Sequence, residues 1–374
     1  MNPTSGVRGL IALDIGAKMA DFYEIDFLPV HTSKSGDCIC VRYQIDNEWF
    51  LHVVDGGYTA TAPDLAAHID KYFRTKLINN VVVTHPDQDH AEGLAPILEH
   101  FTIGKLWMLR PWIYAQELLP HFPRIGSVEN LQKRLRDDYP YIAALEEIAI
   151  RRGIDIDEPF QGRKIGAFTV LAPSPLRYGQ LILSSDRTPQ LRPATAGILS
   201  GLFNALEPLV TLIKSGWGSE NFSSDNTSVE NEMSVVQYAN IAGHRILLTG
   251  DAGRDGMTEA AEYAPQAGLF LPGIFRFQVP HHGGRRNLSS DIVDRWLGPR
   301  LPSLVPAGQE TFTAMISSAK EDTAHPRNAV LRAMLHRGAF IGTTEDGPMR
   351  VAMNSPAQAW NSMKNIPYPD KQEA

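Results

Sequence analysis

Predicted strands and helices alternate in two parts of the chain, before residue 110 and after residue 231. Alternating apolar and polar positions, or short apolar runs, predict strands at 22–30, 37–45, 49–54, 80–84, 105–109, 233–239, 244–249, 275–279, 302–306, 339–343 and 348–352. Apolar positions at helical spacing predict helices at 63–73, 91–101, 289–296 and 326–337. We expect the last two strands to pair with each other.

The pattern changes between about residues 110 and 230. Residues 128–152 form a charged amphipathic helical region, whereas 174–230 are rich in Ser, Pro, Gly and Asn, with one apolar helical piece near 196–213. We interpret 110–230 as a large central insertion or lid, because loops this long are usually functional or mobile. The remaining segments are interpreted as an N-terminal leader at 1–21, one domain at 22–354 and a polar C-terminal tail at 355–374.

Composition excludes several classes of protein. Of 374 residues, 43% are hydrophobic and 21% charged, which is typical of a globular chain and not of a disordered one. The net charge of −7 provides no general attraction for nucleic acid or anionic lipid, so a polyanionic substrate would need a local positive site such as a metal. Cys38 and Cys40 are the only cysteines and point to opposite faces of a strand, which excludes a disulfide framework. We expect a cytoplasmic protein without a membrane partner, and the oligomeric state stays open.

The segment Thr84–His90 carries the strongest chemical signal. The side chains of His85, Asp87, Asp89 and His90 fall within six positions, after an apolar strand and before a helix. His and Asp are ligand types for zinc and manganese at neutral pH. Burying them together without a cation would be costly, so a metal is their natural partner. The alternative is a solvated turn with acidic residues at a helix N-terminus.

Two later segments repeat the same order of residue types. An apolar strand at 244–249 ends in Gly250-Asp251, and the strand at 275–279 runs into Pro280-His281-His282-Gly283. Strand ends that meet at one edge of a sheet form sites in α/β layers. The three segments together therefore predict one metal site.

These motifs resemble those of the metallo-β-lactamase-fold hydrolases, and most closely those of the ComEC/Rec2-like branch. Beside HPDQDH, the GD after ILLT and the HH after FQVP, the chain has Asp87 where other branches have a second His. The other matching positions are Ser35-Gly36-Asp37, Asp55-Gly56-Gly57, Asn231 and Ser234, His325-Pro326 and the segment 343–347. The resemblance covers about residues 22–109 and 231–353.

The resemblance implies an α/β fold in the form of an αββα sandwich, with two mixed β-sheets packed face to face and helices outside. It also implies two divalent metal ions, zinc or manganese. His85 and Asp87 would bind one ion, Asp89 and His90 the other, and Asp251 would bridge them.

The resemblance also implies roles for other positions around this centre. One of His281 and His282 would close the second metal site, and His282 is favoured, with His281 touching the substrate. Asp55 would orient a ligand from outside the centre. Other branches of the family have a His before the GD strand that binds the first metal. This chain has no clear counterpart of that His, so Asn231 or a water would take its place as a ligand.

The resemblance predicts a metal-dependent hydrolase, with a phosphodiesterase or nuclease favoured. The metals would lower the pKa of a shared water and supply hydroxide, and the substrate would be a phosphate ester such as DNA or a nucleotide. The predicted catalytic residues are Asp89, His281 and His325; the two histidines would hold a phosphate oxygen or protonate the leaving oxygen. His325 is otherwise a packed or capping histidine. Arg285 would bind a phosphate through two hydrogen bonds, or else lie in a solvated loop.

Two other functions stay open at this stage. The same metals support hydrolysis of a carboxylic ester, thioester or lactam. Because the His that other branches have before the GD strand is missing, the chain could also be a non-catalytic binding protein with a degenerate site.

Overall fold

The computed structural model describes residues 22–30, 32–188, 211–355 and 363–374. The segment interpreted as a leader, 1–21, and most of the helical piece expected near 196–213 lie outside these ranges. No helix within the described ranges combines the length and apolar character needed to cross a bilayer.

Two seven-stranded mixed sheets form the centre of the protein. The first sheet contains β1 (Tyr23–Phe27), β2 (Cys38–Ile45), β3 (Glu48–Gly56), β4 (Leu77–Val82), β5 (Thr102–Trp107), β6 (Ile156–Asp157) and β15 (Met349–Met353). The second contains β7 (Lys164–Ile165), β8 (Phe168–Ala172), β10 (Val236–Ile241), β11 (His244–Leu248), β12 (Arg276–Gln278), β13 (Phe312–Ile316) and β14 (Ala339–Thr343). A separate two-stranded sheet joins β9 (Leu212–Lys214) to β16 (Lys371–Glu373).

The two large sheets pack face to face around a shared core. The Tyr23 hydroxyl of the first sheet lies 2.7 Å from His244 Nδ1 of the second. The ring of His52 in β3 stacks on Phe168 in β8, with 4.9 Å between ring centroids. Burial of large apolar side chains between the sheets is the main stabilising contribution to such a layered core.

Helices cover the outer faces of both sheets. They span Ala62–His68, Gln88–Ala91, Leu94–His100, Ala115–Leu118, Val128–Asp138, Pro140–Arg152, Pro175–Ser184, Val229–Glu232, Arg254–Tyr263, Ser290–Leu297 and Asn328–Leu335. Met257, Trp296 and Met334 pack from three of these helices against the outer face of the second sheet, beside Leu247 and Phe277. This arrangement is an αββα sandwich, and the predicted fold class is confirmed.

Parallel strands bring the predicted ligand segments to one edge. In the first sheet β3 and β4 run parallel, and in the second β11, β12 and β13 do. The carboxyl ends of parallel neighbours lie at the same edge of a sheet. Because the sheets face each other, the loops after β4, β11, β12 and β13 converge at one rim of the sandwich.

Two predicted features are wrong in detail. The last two strands do not pair, because β14 extends the second sheet beside β13 and β15 extends the first beside β1. The predicted strand at 302–306 is absent, and the strand begins instead at Phe312; prolines at 302 and 306 remove two of the backbone donors that a ladder needs. The helical region 128–152 is two helices, separated before Pro140.

Segments outside residues 22–109 and 231–353, the two parts that resemble the family, also contribute strands to the sheets. From within 110–230, β6 joins the edge of the first sheet, and β7 with β8 joins the edge of the second. From the predicted tail, β16 pairs with β9. The domain boundaries themselves stay predictions.

Replacing Glu373 by alanine is expected to lower the free energy of unfolding by about 1–2 kcal/mol. This buried carboxylate accepts hydrogen bonds from the backbone N–H groups of Asn328 and Ala329, at 3.0 and 2.9 Å, in the first turn of the helix that follows His325. Urea unfolding monitored by circular dichroism would measure the change. Lys371→Ala, at an exposed position of the same strand, is the control, and equal losses in the two variants would contradict this role for Glu373.

Candidate metal centre

The loop after β4 supplies four of the predicted ligands. The side chains of His85 and His90 are fully buried, and their ring centroids lie 4.1 Å apart. Asp87 adopts extended backbone angles immediately before the short helix Gln88–Ala91, so the chain turns sharply between the two histidines. The side chains of Asp87 and Asp89 stay partly exposed, at 21% and 25%. This turn brings the four side chains close together.

Asp55, at the end of β3, holds this loop in place. Its carboxylate accepts hydrogen bonds from the Thr84 backbone N–H at 2.8 Å, the Thr84 hydroxyl at 2.6 Å and His90 Nδ1 at 2.8 Å. The bond to Nδ1 fixes the ring of His90 and leaves Nε2 as the atom that faces the other ligands. The Asp55 carboxylate therefore lies against the ring of His90, and its role in orienting a metal ligand stays a prediction.

Asp251 lies in the loop that follows β11 of the second sheet, two residues after Thr249. Gly250 has a φ of +51°, and a Cβ on it would lie 2.9 Å from Cβ of Thr84, so the close approach of the two sheets here requires glycine. The Asp251 backbone N–H donates to Ser234 Oγ at 3.1 Å, and its carbonyl accepts from Asn287 Nδ2 at 2.8 Å. These contacts aim the buried carboxylate at the loop after β4.

His281 and His282 follow β12 in an unusual backbone conformation. Their φ angles are +49° and +53°, in the left-handed region that non-glycine residues rarely adopt. Backbone strain of this kind persists where the surrounding structure enforces it, commonly at functional sites. The side chain of His282 is buried, whereas that of His281 is 28% exposed and its Nδ1 lies 2.9 Å from Asn287 Oδ1.

Four histidines surround the Asp251 carboxylate, and Asp87 and Asp89 lie beside their rings. Asp251 Oδ1 lies 3.4 Å from His90 Nε2, and Oδ2 lies 3.8 Å from His85 Nε2, 3.8 Å from His282 Nε2 and 3.7 Å from His281 Nε2. Asp89 Oδ2 is 3.5 Å from His282 Nε2 and 3.7 Å from His90 Nε2, and Asp87 Oδ2 is 3.7 Å from His85 Nε2. Ligands about 2.1 Å from one ion at tetrahedral angles lie roughly 3.4 Å apart. These separations match ligands that share an ion better than hydrogen-bonded partners.

Unsatisfied polar atoms support the same interpretation. His85 Nε2, His90 Nε2, both ring nitrogens of His282 and Asp251 Oδ1 are buried without a hydrogen-bond partner. Leaving so many polar atoms unpaired in one place is unfavourable, and such groups call for a ligand. The residue types and their spacing fit a divalent ion: Asp89, His90, Asp251 and His282 form one set of donors, with all donor atoms within 4.8 Å of one another.

The charges in the cluster depend on one another. Burial alone would lower the pKa of His90, but the carboxylates of Asp251, Asp89 and Asp55 raise it well above its ordinary value. Burial likewise opposes protonation of His282, and Asp251 with Asp89 raises its pKa to about 9. Burial would raise the pKa of Asp251, yet His90 and His282 hold it well below the usual range. The carboxylates thus attract positive charge, which a divalent ion supplies effectively.

Asp37 belongs to this site, although the sequence analysis assigned it no role. Its buried Oδ2 accepts a hydrogen bond from Gln278 Nε2 at 2.7 Å and lies 3.8 Å from His90 Nδ1. Its Oδ1 is 3.9 Å from His282 Nδ1. Burial raises the pKa of Asp37. The Ser35-Gly36-Asp37 motif was the available signal, but nothing in the sequence tied it to His282.

His325 lies beside the double histidine, from the loop after β13. Its ring centroid is 5.1 Å from that of His281, and its Nδ1 is 3.2 Å from Asp322 Oδ2. Asp322 in turn accepts hydrogen bonds from the backbone N–H and the hydroxyl of Ser35, at 3.1 and 2.7 Å. The sequence analysis missed Asp322, which fixes the orientation of His325.

Asn231 and Arg285 make their contacts elsewhere. Asn231 is buried, and its Nδ2 donates to Thr227 Oγ1 at 2.7 Å. Arg285 Nη1 lies 3.5 and 3.3 Å from the backbone carbonyls of Asn221 and Ala374. Their roles toward metal and phosphate stay predictions. A different arginine, Arg187, contacts the cluster through Asp87.

Comparison with known proteins finds similarity in structure only. One solved structure, of the hydrolase AbOPH in the beta-lactamase superfamily, aligns with 57% of this chain and 56% of its own, at 10% identity and a TM-score of 0.28. A beta-lactamase domain protein from Burkholderia ambifaria aligns with 70% of this chain and 66% of its own, at 16% identity and a TM-score of 0.32. Each alignment spans less than two thirds of the other protein. No family model and no curated protein matches the sequence.

The fold itself is consistent with the sandwich of the beta-lactamase superfamily. Two large mixed sheets face each other, helices cover both outer faces, and the candidate metal centre lies where the strand ends of the two sheets meet.

Proposed function

We propose that the protein is a metal-dependent hydrolase of the ComEC/Rec2-like branch that cleaves phosphodiesters. The observation that carries the proposal is the convergence of buried donor atoms of His85, His90, Asp251 and His282 that have no hydrogen-bond partner. Donors this close together, with carboxylates among them, fit zinc or manganese. Divalent ions bound there would lower the pKa of water to near neutrality and offset the charge of a phosphate.

The described side chains divide into a group that holds ions and a group that faces the substrate. His85, Asp87 and Asp251 form one half of the proposed ligand set. Asp89, His90, Asp251 and His282 form the other. Asp251 belongs to both halves because its two oxygens face different imidazoles. His281, partly exposed beside the Asp251 carboxylate, either touches the substrate or completes the first half.

We assign proton transfer to His325. The hydrogen bond to Asp322 keeps one proton on Nδ1, so the imidazolium form of His325 would donate its second proton, on Nε2, to the leaving oxygen and return to the neutral Nδ1–H tautomer. The position of the ring, 5.1 Å from His281, is close enough for both histidines to reach one phosphate group. His325 would thus stabilise the leaving oxygen, while Asp322 acts only through the orientation of the ring.

The decisive experiment combines elemental analysis with a substrate panel. Protein purified without chelator is expected to retain zinc or manganese and to hydrolyse bis(p-nitrophenyl) phosphate or single-stranded DNA. Activity should disappear with EDTA and return with metal, because the carboxylates and imidazoles alone cannot generate hydroxide at neutral pH.

The other outcomes separate the alternatives. Hydrolysis of p-nitrophenyl acetate, a thioester or a lactam without diester cleavage would replace the proposal by an acyl hydrolase. Full metal occupancy without turnover of any substrate would favour a binding protein. Failure to bind zinc or manganese in excess would refute the metal centre itself.

A further inference from the structure

Arg187 reaches the candidate metal centre from the segment that follows the helix Pro175–Ser184. Its Nη2 lies 2.6 Å from Asp87 Oδ1, and the other oxygen of Asp87 faces His85. Across the described residues, no other Lys or Arg lies within 4.0 Å of a carboxylate of Asp37, Asp87, Asp89 or Asp251. Among the described Lys and Arg side chains, Arg187 is therefore the one that pairs with a carboxylate of the site.

A buried polar network holds the backbone of Arg187. Its N–H donates to Ser185 Oγ at 3.1 Å, and Ser185 Oγ donates to Glu230 at 2.5 Å. The buried Tyr139 hydroxyl donates to Ser185 Oγ at 3.2 Å. The next residue, Thr188, donates from its hydroxyl to the Ser185 carbonyl at 2.8 Å. This network makes the position of Arg187 part of the packed structure and limits how far it can swing from the site.

The guanidinium has donors left over. Nη2 serves Asp87, and Nε faces Glu230 Oε1 at 3.7 Å, whereas Nη1 has no partner among the described residues. The side chain is 40% exposed, and the pKa of Arg187, which burial alone would lower, is raised by Asp87 and Glu230. A planar guanidinium can keep one carboxylate and still bind a phosphate oxygen through its other edge.

We propose that Arg187 is a specificity-determining residue that binds an anionic oxygen of the substrate next to Asp87. This inference rests on the proposed function and deepens it, because a phosphodiester carries a negative charge in the ground state and a neutral acyl substrate does not. Arg187 is thus a second candidate for the phosphate contact that the sequence offered for Arg285, with a solvated loop as the alternative there; Arg285 Nη1 lies near two backbone carbonyls.

The test compares Arg187→Gln with wild type in the metal-loaded protein. Loss of a charged hydrogen bond is expected to weaken binding of inorganic phosphate, measured by calorimetry, by about 10–100-fold. The KM for bis(p-nitrophenyl) phosphate should rise similarly while kcat changes little, and metal content should stay at the wild-type value. The phosphate affinity of Arg187→Lys should lie between those of wild type and Arg187→Gln, because an ammonium cannot bind two anions in one plane as a guanidinium does.

The matched control is Arg134→Gln, which removes another arginine that is about half exposed and paired with an aspartate, Asp138, away from the cluster. Unchanged phosphate affinity in Arg187→Gln would overturn the proposal. A fall in phosphate affinity accompanied by a fall in metal content would also overturn it, because Arg187 would then act only by positioning Asp87. If wild type binds phosphate through Arg187 but cleaves no diester, the inference survives and the proposed function fails.

Discussion

Replacing Asp251 by alanine is expected to abolish binding of the proposed divalent ions and to reduce hydrolysis by more than about 100-fold, since losing a residue that only supports a metal ligand already costs about 10–100-fold. The reason is its position: Oδ1 faces His90, while Oδ2 faces His85, His281 and His282. No other described carboxylate is in contact with all four rings. Elemental analysis after dialysis and diester hydrolysis would measure the two effects.

Asp255→Ala is the control for this prediction. Asp255 lies four residues further along, at the exposed start of the helix Arg254–Tyr263. Its replacement should leave metal content and turnover close to wild type. If Asp251→Ala kept its full metal content and activity, the proposed bridging role and the centre built around it would both be wrong.

Replacing Asp55 by alanine should have the largest effect on stability, about 3–5 kcal/mol off the free energy of unfolding. Three buried donors, the Thr84 N–H, the Thr84 hydroxyl and His90 Nδ1, would lose their common acceptor. Metal affinity should also fall by about 10–100-fold, because the ring of His90 would no longer be held. Urea unfolding of the metal-free protein separates the first effect from the second.

Asp46→Ala provides a control matched in backbone conformation. Asp46 has a φ of +50° and Asp55 a φ of +56°, so each substitution places alanine in the left-handed region, but Asp46 is exposed in the turn after β2. The difference between the two variants therefore reports the buried hydrogen bonds. A similar loss of stability in both would mean that backbone strain, and not the carboxylate, explains the result.

Local features of the candidate site could be predicted from the sequence. The apolar run before His85 and the strand before Asp251 determine that each ligand segment starts at the end of a buried strand. The ligand types themselves indicate a divalent ion, and the DGG motif pointed to Asp55. These inferences need only neighbouring residues, because strand periodicity and side-chain chemistry are local properties.

Contacts between distant segments could not be predicted in the same way. Arg187 and Asp87 are 100 positions apart, and their ion pair depends on how the helix Pro175–Ser184 packs. Asp37 reaches His282 only because two sheets face each other. The partners of β14 and β15 likewise depend on which sheet edge is free, which the apolar pattern of a single strand does not contain.

The sequence by itself thus determined most of the long strands and the imidazole and carboxylate groups that a metal centre would use. Only the tertiary structure decided which of them meet: Asp251 among four histidines, Asp322 behind His325 and Arg187 beside Asp87. The physical reason is that secondary structure follows from short-range periodicity, whereas a site forms where sheets and loops pack together. That packing is set by the burial of the whole core.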